Sequence, residues 1–432
     1  MRKVLFSFLG MGDYESCYYT YEGKKSTFTR FIQTAIYEHT LTEGPLEIIV
    51  FATKEAKAQN WAEHLNKKGE WLEGLEKAFA RITPGAKVKL VDISSSQDEE
   101  ANWNLFDIIL SQIKEGDEIY FDMTHSFRSI PLVSLIVLNY ARLVKKAKIN
   151  KLMYGLFDRN QPEKLAPIID VTSMLTLLDW TNGVDQFIRT GDASLIKQFT
   201  NDETGNVFRD QSISKEEKVT TAALNGLTKQ LDIVGQSFQT CRSLVLTDEI
   251  NKLKQQIETV RGAKSNKIKP LVPLLTEIES KYENFGDDKI MNGLLAAEWC
   301  VEHRLIQPGI TLLQESCVTA ICYALQIDPT EREKRKCINP AIKILMRNLP
   351  EKRWTVKEKE KPLVREILAF LKPYREQLKP FDSLSDYRND INHAGTNSDA
   401  RKAEIFLPSL KKGVKELRPF FEKMLELTRQ QV

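Results

Sequence analysis

Near the end of the 432-residue chain, the run Ser385-Asp386-Tyr387-Arg388-Asn389-Asp390-Ile391-Asn392-His393-Ala394-Gly395 brings an arginine, an asparagine and a histidine close together. Helical spacing puts Asn389 and His393 on one face at i, i+4, with Arg388 leaning toward the same edge and Gly395 as a helix stop. An imidazole exchanges a proton near neutral pH, and a guanidinium can hold a phosphate as its charge grows in a transition state. Those two roles suffice for metal-free RNA cleavage, in which a ribose 2′-hydroxyl attacks the adjacent phosphate. Taken without context, R-x4-H is common by chance, and a surface arginine near a helix-terminal histidine is its plainer meaning.

Two loops in the first half carry a different chemistry. In Leu9-Gly10-Met11-Gly12-Asp13-Tyr14, two glycines one residue apart let the backbone turn sharply and approach a phosphate closely. The third glycine of a dinucleotide fingerprint is missing, and the polar, aromatic stretch that follows is not an immediate helix. In Asp122-Met123-Thr124-His125-Ser126-Phe127-Arg128, hydroxyls, an imidazole and a guanidinium gather before a helix starting near Ile130, where dipole and side chains favour an anion together. Each residue also has a plainer use, as a cap or an ion-pair partner. If the strands before these loops are neighbours, both loops line one crevice.

Other candidates carry less. His39 and His64 fall late in surface helices, and His303 closes a helix. Glu315 is placed to project toward His393 and orient it. The six cysteines, Cys17, Cys241, Cys300, Cys317, Cys322 and Cys337, have neither zinc-site spacing nor the density of a secreted disulfide framework, which fits reduced thiols in a cytoplasmic protein.

The elements that must position these residues divide the chain in two. Up to about residue 175, short β-branched runs at 4–9, 46–52, 87–93, 118–122, 151–156 and 168–171 alternate with helix-like segments at 26–39, 54–66, 71–81, 99–113 and 130–145. Such alternation predicts an α/β sheet with mainly parallel strands and helices on both faces, binding ligands beyond the carboxyl ends of its strands. After about residue 185 the pattern is helical throughout. A connector is followed by helices at 291–306, closed by Gln307-Pro308-Gly309, and at 310–325, 341–348, 363–371 and 403–427, the last interrupted by Gly413 and Pro419.

Composition sets the outer limits. With Lys+Arg 62, Asp+Glu 59, a net charge of +3 and 42% hydrophobic residues, the chain is an ordinary globular one of two or three domains. Near-neutral charge argues against nonspecific coating of nucleic acid, which needs a marked cation excess, but leaves room for local basic sites. The opening apolar stretch is too short for a signal peptide and reads as a strand. No stretch reaches the roughly 18 apolar residues of a membrane span, and 130–141 fits a buried helix.

An α/β domain with LGMGDY after its first strand and DMTHSFRSIP after its fourth, then a helical connector and a helical domain ending in R-N-D-I-N-H, resembles one family in particular. It looks like the CRISPR-associated ribonucleases of type III systems, which pair a CARF sensor domain with a HEPN nuclease domain. Tyr14, Tyr18, Thr27, Phe28 and Gln33 are similar to that family's first loop and helix, and the likeness covers essentially the whole chain. It implies a Rossmann-like α/β CARF domain over 1–185, an all-α connector over 186–288 that could include a helix-turn-helix, and an all-α HEPN domain over 289–432.

The resemblance further implies a homodimer, with any higher assembly left open. Gly10, Gly12, Thr124, His125, Ser126 and Arg128 would contact a cyclic oligoadenylate activator, cyclic tetra-adenylate first and cyclic hexa-adenylate second. Related chains often carry glycine at the position of Ser126. Arg388 and His393 of both copies, with Asn389 in support, would cleave single-stranded RNA without metal, leaving a 2′,3′-cyclic phosphate and a 5′-hydroxyl. The competing expectation is a nucleotide-sensing regulator whose helical half binds DNA or protein without nuclease activity. An NAD-dependent oxidoreductase is disfavoured by the missing third glycine.

Overall fold

The computed structural model describes residues 1–40, 46–65, 69–82, 84–125, 130–158, 163–204, 214–263, 269–396 and 400–431. The chain divides into two compact units, Met1–Thr176 and Leu177–Val432.

In the first unit, the β-branched and aromatic runs become β1 (Lys3–Leu9), β2 (Tyr18–Tyr21), β3 (Lys24–Lys25), β4 (Leu46–Ala52), β7 (Lys87–Asp92), β8 (Glu118–Asp122), β9 (Lys148–Gly155) and β10 (Leu165–Asp170). They form one sheet in the order β3-β2-β10-β9-β8-β1-β4-β7. β1 lies parallel to β4 on one side and to β8 on the other, with Lys3 opposite both Leu46 and Glu118. β10 runs antiparallel to β9.

Alternation along β1 decides what each face buries, because successive side chains point to opposite sides. Leu5 and Leu9 pack with α1 (Ile32–Thr40) and α3 (Leu75–Ile82). Val4, Phe6 and Phe8 pack with α4 (Glu99–Gln112) and α5 (Ile130–Val144). On that second face Phe6, Phe8, Phe51 and Phe121 have ring centroids 5.2 to 6.2 Å apart. Each such buried ring contributes roughly 1.5–3 kcal/mol of transfer free energy.

Several boundaries differ from the sequence reading. The stretch expected to begin a helix at residue 26 is preceded by the β2–β3 hairpin, whose turn residues Glu22 and Gly23 have φ 50° and 78°. The helix expected at 54–66 is only α2 (Lys54–Ala56), continued by a π-helical turn at Lys57–Trp61. It gives way to a small hairpin of β5 (His64–Leu65) and β6 (Trp71–Leu72). His64 is therefore a strand residue, and the next helix starts at Leu75. α5 is not fully buried either: Val137, Leu138 and Ala141 face the sheet, whereas Leu132, Ile136, Tyr140 and Leu143 are exposed.

The second unit takes over within α6 (Thr172–Thr190) and continues as α7 (Ser194–Thr204), α8 (Lys215–Gln239), α9 (Ser243–Arg261) and α10 (Val272–Ser280). These pack around Trp180, Phe187, Phe238 and Tyr282, joined by Trp299. Next come α11 (Lys289–Glu302), α12 (Ile306–Ala324), α13 (Arg332–Arg335), α14 (Ile338–Arg347), α15 (Lys361–Leu371), α16 (Lys379–Asn392) and α17 (Phe406–Arg429). Their shared core includes Ile310, Cys317, Ile321, Leu384, Phe420 and Phe421.

Two helix breaks expected from the sequence differ in the structure. α11 stops at Glu302, with Arg304 left-handed at φ 57°, and Gln307-Pro308-Gly309 form the first turn of α12, where a proline's missing N–H costs nothing. α17 runs unbroken through Gly413 and Pro419. At Gly413 a Cβ would come within 2.8 Å of Leu384, so this glycine lets α16 and α17 approach rather than interrupting a helix.

Candidate functional site

In the first unit the strand order reverses beside β1, since the chain builds outward to β4 and β7 and then returns to place β8 on β1's other edge. At such a switch point the loops diverge and leave a crevice. A cavity of about 270 Å³ opens there, lined by Gly10, Met11, Gly12, Tyr14, Thr124, His125 and Ile130, with Thr53 and Ile93 from beyond β4 and β7. The glycine loop and the described start of the Asp122 loop thus meet in one site. Ser126 and Arg128 lie outside the described residues.

The glycine loop is held from beneath by residues to which the sequence reading gave no role. Asn60, on the π-helical turn and fully buried, donates to the carbonyl oxygens of Gly10 at 2.9 Å and Gly12 at 3.0 Å. A π-turn inside a helix often marks a functional position, but no sequence periodicity announces it. Buried Arg30 donates to the Tyr14 carbonyl at 3.1 Å and the Glu73 carbonyl at 3.0 Å.

Tyr14 closes the loop from above. Its hydroxyl oxygen accepts from the Gly10 amide at 2.8 Å, and its ring stacks on His125 with centroids 4.3 Å apart. A Cβ on Gly10 would sit 2.9 Å from the Tyr14 hydroxyl and 3.3 Å from the His125 Cβ. The absence of a side chain at Gly10 is therefore used by this stack.

On the other wall, fully buried Asp122 accepts from the Ser7 hydroxyl at 2.6 Å, the Thr124 amide at 2.9 Å and the Thr124 hydroxyl at 2.5 Å. Burial pushes the Asp122 pKa up, against the pull of these three donors. Thr124 also accepts from the Gly155 amide at 2.9 Å, so its hydroxyl proton is committed and it can offer a ligand only a lone pair. His125 differs. Its Nε2 is buried with no hydrogen-bond partner among the described residues, and burial lowers its pKa to about 4. A neutral imidazole in a cavity wall, with a polar atom left over, can meet a polar group of a ligand once that atom is uncovered.

In the second unit, Arg388 and Asn389 sit in the last turns of α16, and His393 caps it. Left-handed Ala394 and Gly395, with φ 52° and 64°, end the helix where the sequence put a stop. Buried Asp390 anchors this corner by accepting from the Arg401 amide at 3.0 Å, while Asn389 and His393 face solvent. Among the described residues the His393 imidazole makes no hydrogen bond, to Arg388 or to any other residue. Nor, among the described residues, does Glu315 make a hydrogen bond or ion pair with His393, the residue it was expected to orient. The Glu315 carboxylate lies 3.5 Å from Arg388 and 2.9 Å from Arg335.

Of the remaining histidines, His64 Nδ1 and His303 Nε2 are also buried with no hydrogen-bond partner among the described residues. His39 Nε2 lies 3.3 Å from the Tyr19 carbonyl oxygen, and His303 is buried on Trp299 with centroids 3.7 Å apart. All six cysteines are unpaired. Among the described residues, no His, Cys, Asp and Glu are grouped to hold a metal ion, and no helix is long and apolar enough to cross a membrane.

Residues 176–289 match the family model described as CRISPR-associated protein MJ1674, second domain. Over 398 residues the chain is 23% identical to the CRISPR-associated protein MJ1674 of Methanocaldococcus jannaschii, an alignment covering 79% of this chain and 58% of that protein. The chain thus spans less than two thirds of that relative's length.

Proposed function

We propose that this chain, a homologue of a CRISPR-associated protein, is a cyclic-oligoadenylate-activated, metal-independent endoribonuclease acting on single-stranded RNA. In this reading residues 1–185 are a CARF-like sensor, 186–288 a connector and 289–432 a HEPN-like nuclease. The observation that carries it is the cavity at the β1/β8 switch point, lined by the Gly10–Gly12 loop, Thr124 and His125, whose buried Nε2 has no hydrogen-bond partner among the described residues. Cyclic tetra-adenylate or hexa-adenylate would bind there, with Ser126 and Arg128 completing the anion site.

The exposed apolar row Leu132, Ile136, Tyr140 and Leu143, starting two residues beyond the cavity-lining Ile130, supports a second copy of the chain as partner. Solvent-facing Asn389 and His393 support a cleavage site completed between two copies. His393 of one copy would take the ribose 2′-hydroxyl proton, the 2′-oxygen would attack phosphorus, and the 5′-oxygen would leave with a proton from the other copy's imidazolium. Arg388 would hold the non-bridging oxygens, with Asn389 in support, giving a 2′,3′-cyclic phosphate and a 5′-hydroxyl.

The test is RNA cleavage in EDTA with and without each cyclic oligoadenylate. Cleavage should depend on the activator and disappear in His393→Ala while activator binding survives. Cleavage that needs metal, or that ignores every cyclic oligoadenylate, overturns the reading.

A further inference from the structure

A carboxylate within reach of an arginine that must hold RNA phosphate is a liability. It competes for the guanidinium and repels the substrate. Glu315 on α12 is such a group, 3.5 Å from Arg388. From its other side Glu315 is claimed by Arg335, at the end of α13. The Arg335 guanidinium donates to the Glu315 carboxylate at 2.9 Å, to the Glu315 main-chain carbonyl at 3.0 Å and to the Thr319 hydroxyl at 2.9 Å. Two of those three bonds do not involve the carboxylate, so Arg335 is held in place whatever Glu315 does.

The two arginines are therefore unequal partners. Among the described residues, Arg335 makes three bonds of ordinary length, whereas Arg388 makes one at the outer limit of a hydrogen bond. Two cations share one anion, and the surplus positive charge rests on the arginine held more loosely. All three side chains keep some solvent exposure, so the effect is a bias rather than a lock.

We propose that Arg335 is a positioning residue which neutralises Glu315 and so leaves Arg388 free to bind a phosphodiester of single-stranded RNA. This rests on the nuclease reading of Arg388 and His393. When Arg388 moves to the phosphate, Glu315 keeps Arg335 and is not stranded as an unpaired charge. Without Arg335, Glu315 would turn its whole charge on Arg388.

The experiment uses the full chain with its activator. Arg335→Gln removes the charge while leaving a shorter, polar amide in its place. It should lower kcat/KM for RNA roughly tenfold, mainly through KM, the scale of one charge-assisted contact. Affinity for the cyclic oligoadenylate should not change. Adding Glu315→Gln to the same chain should restore cleavage, a rescue that lost packing alone would not give. Full activity in Arg335→Gln, or no recovery in the double variant, overturns the proposal. Should Arg335→Gln fail to fold, Glu315→Gln alone decides: RNA binding as tight as wild type or tighter supports it, and weaker binding overturns it. A wild-type chain that cleaves no RNA with any activator overturns the nuclease reading and this proposal with it, an outcome seen before any variant is compared.

Discussion

The Ser7 hydroxyl donates to the Asp122 carboxylate at 2.6 Å, joining two fully buried side chains 115 residues apart. Ser7 lies three residues before Gly10, and Asp122 two before Thr124. The bond therefore fixes the spacing of the two loops that line the cavity, and the stability of the wall reads out its integrity.

Asp122 has a folded-state pKa raised by burial above the ordinary 3.8. The unfolded chain gives up this proton first, so stability from this group falls as pH rises from about 3.8 through the folded value and stays lower above it. Asp122→Asn keeps an oxygen for the Thr124 donors and an amide for the Ser7 oxygen. In urea unfolding it should match or exceed wild type at pH 7, with the difference shrinking toward pH 4. Asp122→Ala leaves the Ser7 and Thr124 donors unpaired and should cost about 2–4 kcal/mol.

His125 titrates the other way. With its pKa lowered to about 4, it stays neutral in the fold while the unfolded chain takes up a proton near 6.5. Stability from this residue is complete above about pH 6.5 and is lost as pH falls toward 4. A polyanion bound at the cavity raises the pKa, so calorimetry should show tighter binding of a cyclic oligoadenylate as pH drops from 7 to 5.5, by at most about tenfold per pH unit. His125→Gln should remove that slope, and a slope that persists in the variant assigns the proton elsewhere.

The two loop glycines should respond unequally to alanine. A Cβ at Gly10 meets the Tyr14 hydroxyl at 2.9 Å and the His125 Cβ at 3.3 Å, whereas one at Gly12 meets only the Tyr14 ring, at 3.3 Å and beyond. Gly10→Ala should displace Tyr14, cost about 1–3 kcal/mol by overpacking and weaken cyclic oligoadenylate binding more than Gly12→Ala does. Equal effects in thermal melts and binding titrations would contradict this account of the stack.

Gly191 is the most constrained of the described glycines of the second unit. Its φ is +71°, and a Cβ would lie 2.0 Å from the Trp299 ring, itself stacked on Phe238 at 3.8 Å. Gly191→Ala should destabilise the chain by about 3 kcal/mol or more. Gly23, at φ +78° with nothing within 4 Å, serves as the control, and Gly23→Ala should cost only about 1 kcal/mol. Chemical denaturation of the two variants side by side checks the ranking.

The sheet was legible in the sequence where apolar runs were long and flanked by breakers. β1, β4, β7 and β8 fall within a residue of their expected positions, and the neighbouring of β1 and β8 makes the two loops one site. What escaped was short or set by contacts distant in sequence. Tyr18–Tyr21 followed by Glu22-Gly23 is an aromatic strand leading into a two-residue turn, a pattern that names a hairpin, yet its polarity made it look like loop. Asn60 and Arg30 gain their roles only by meeting carbonyls of a loop that no periodicity connects to them. Pro308-Gly309 resembles a helix stop, and becomes a helix start because left-handed Arg304 has already ended the preceding helix. At the other site, the turn from Arg388 to Gly395 was readable, but the partner of Glu315 was not, because α12, α13 and α16 meet only in the folded second unit.

The strand at the switch point of the sheet, β1, is also the first of its strands to be synthesised. β1 pairs with β4 after some forty residues have been added, yet its other edge stays open until residues 118–122 exist, since Lys3 is opposite Glu118. During synthesis the Gly10–Gly12 loop must therefore wait for the segment carrying Asp122 and His125. Ser7 meanwhile remains a buried-type hydroxyl without its acceptor. The cavity closes late in the folding of its unit, and a nascent chain halted before residue 118 has the first wall of the site without the second.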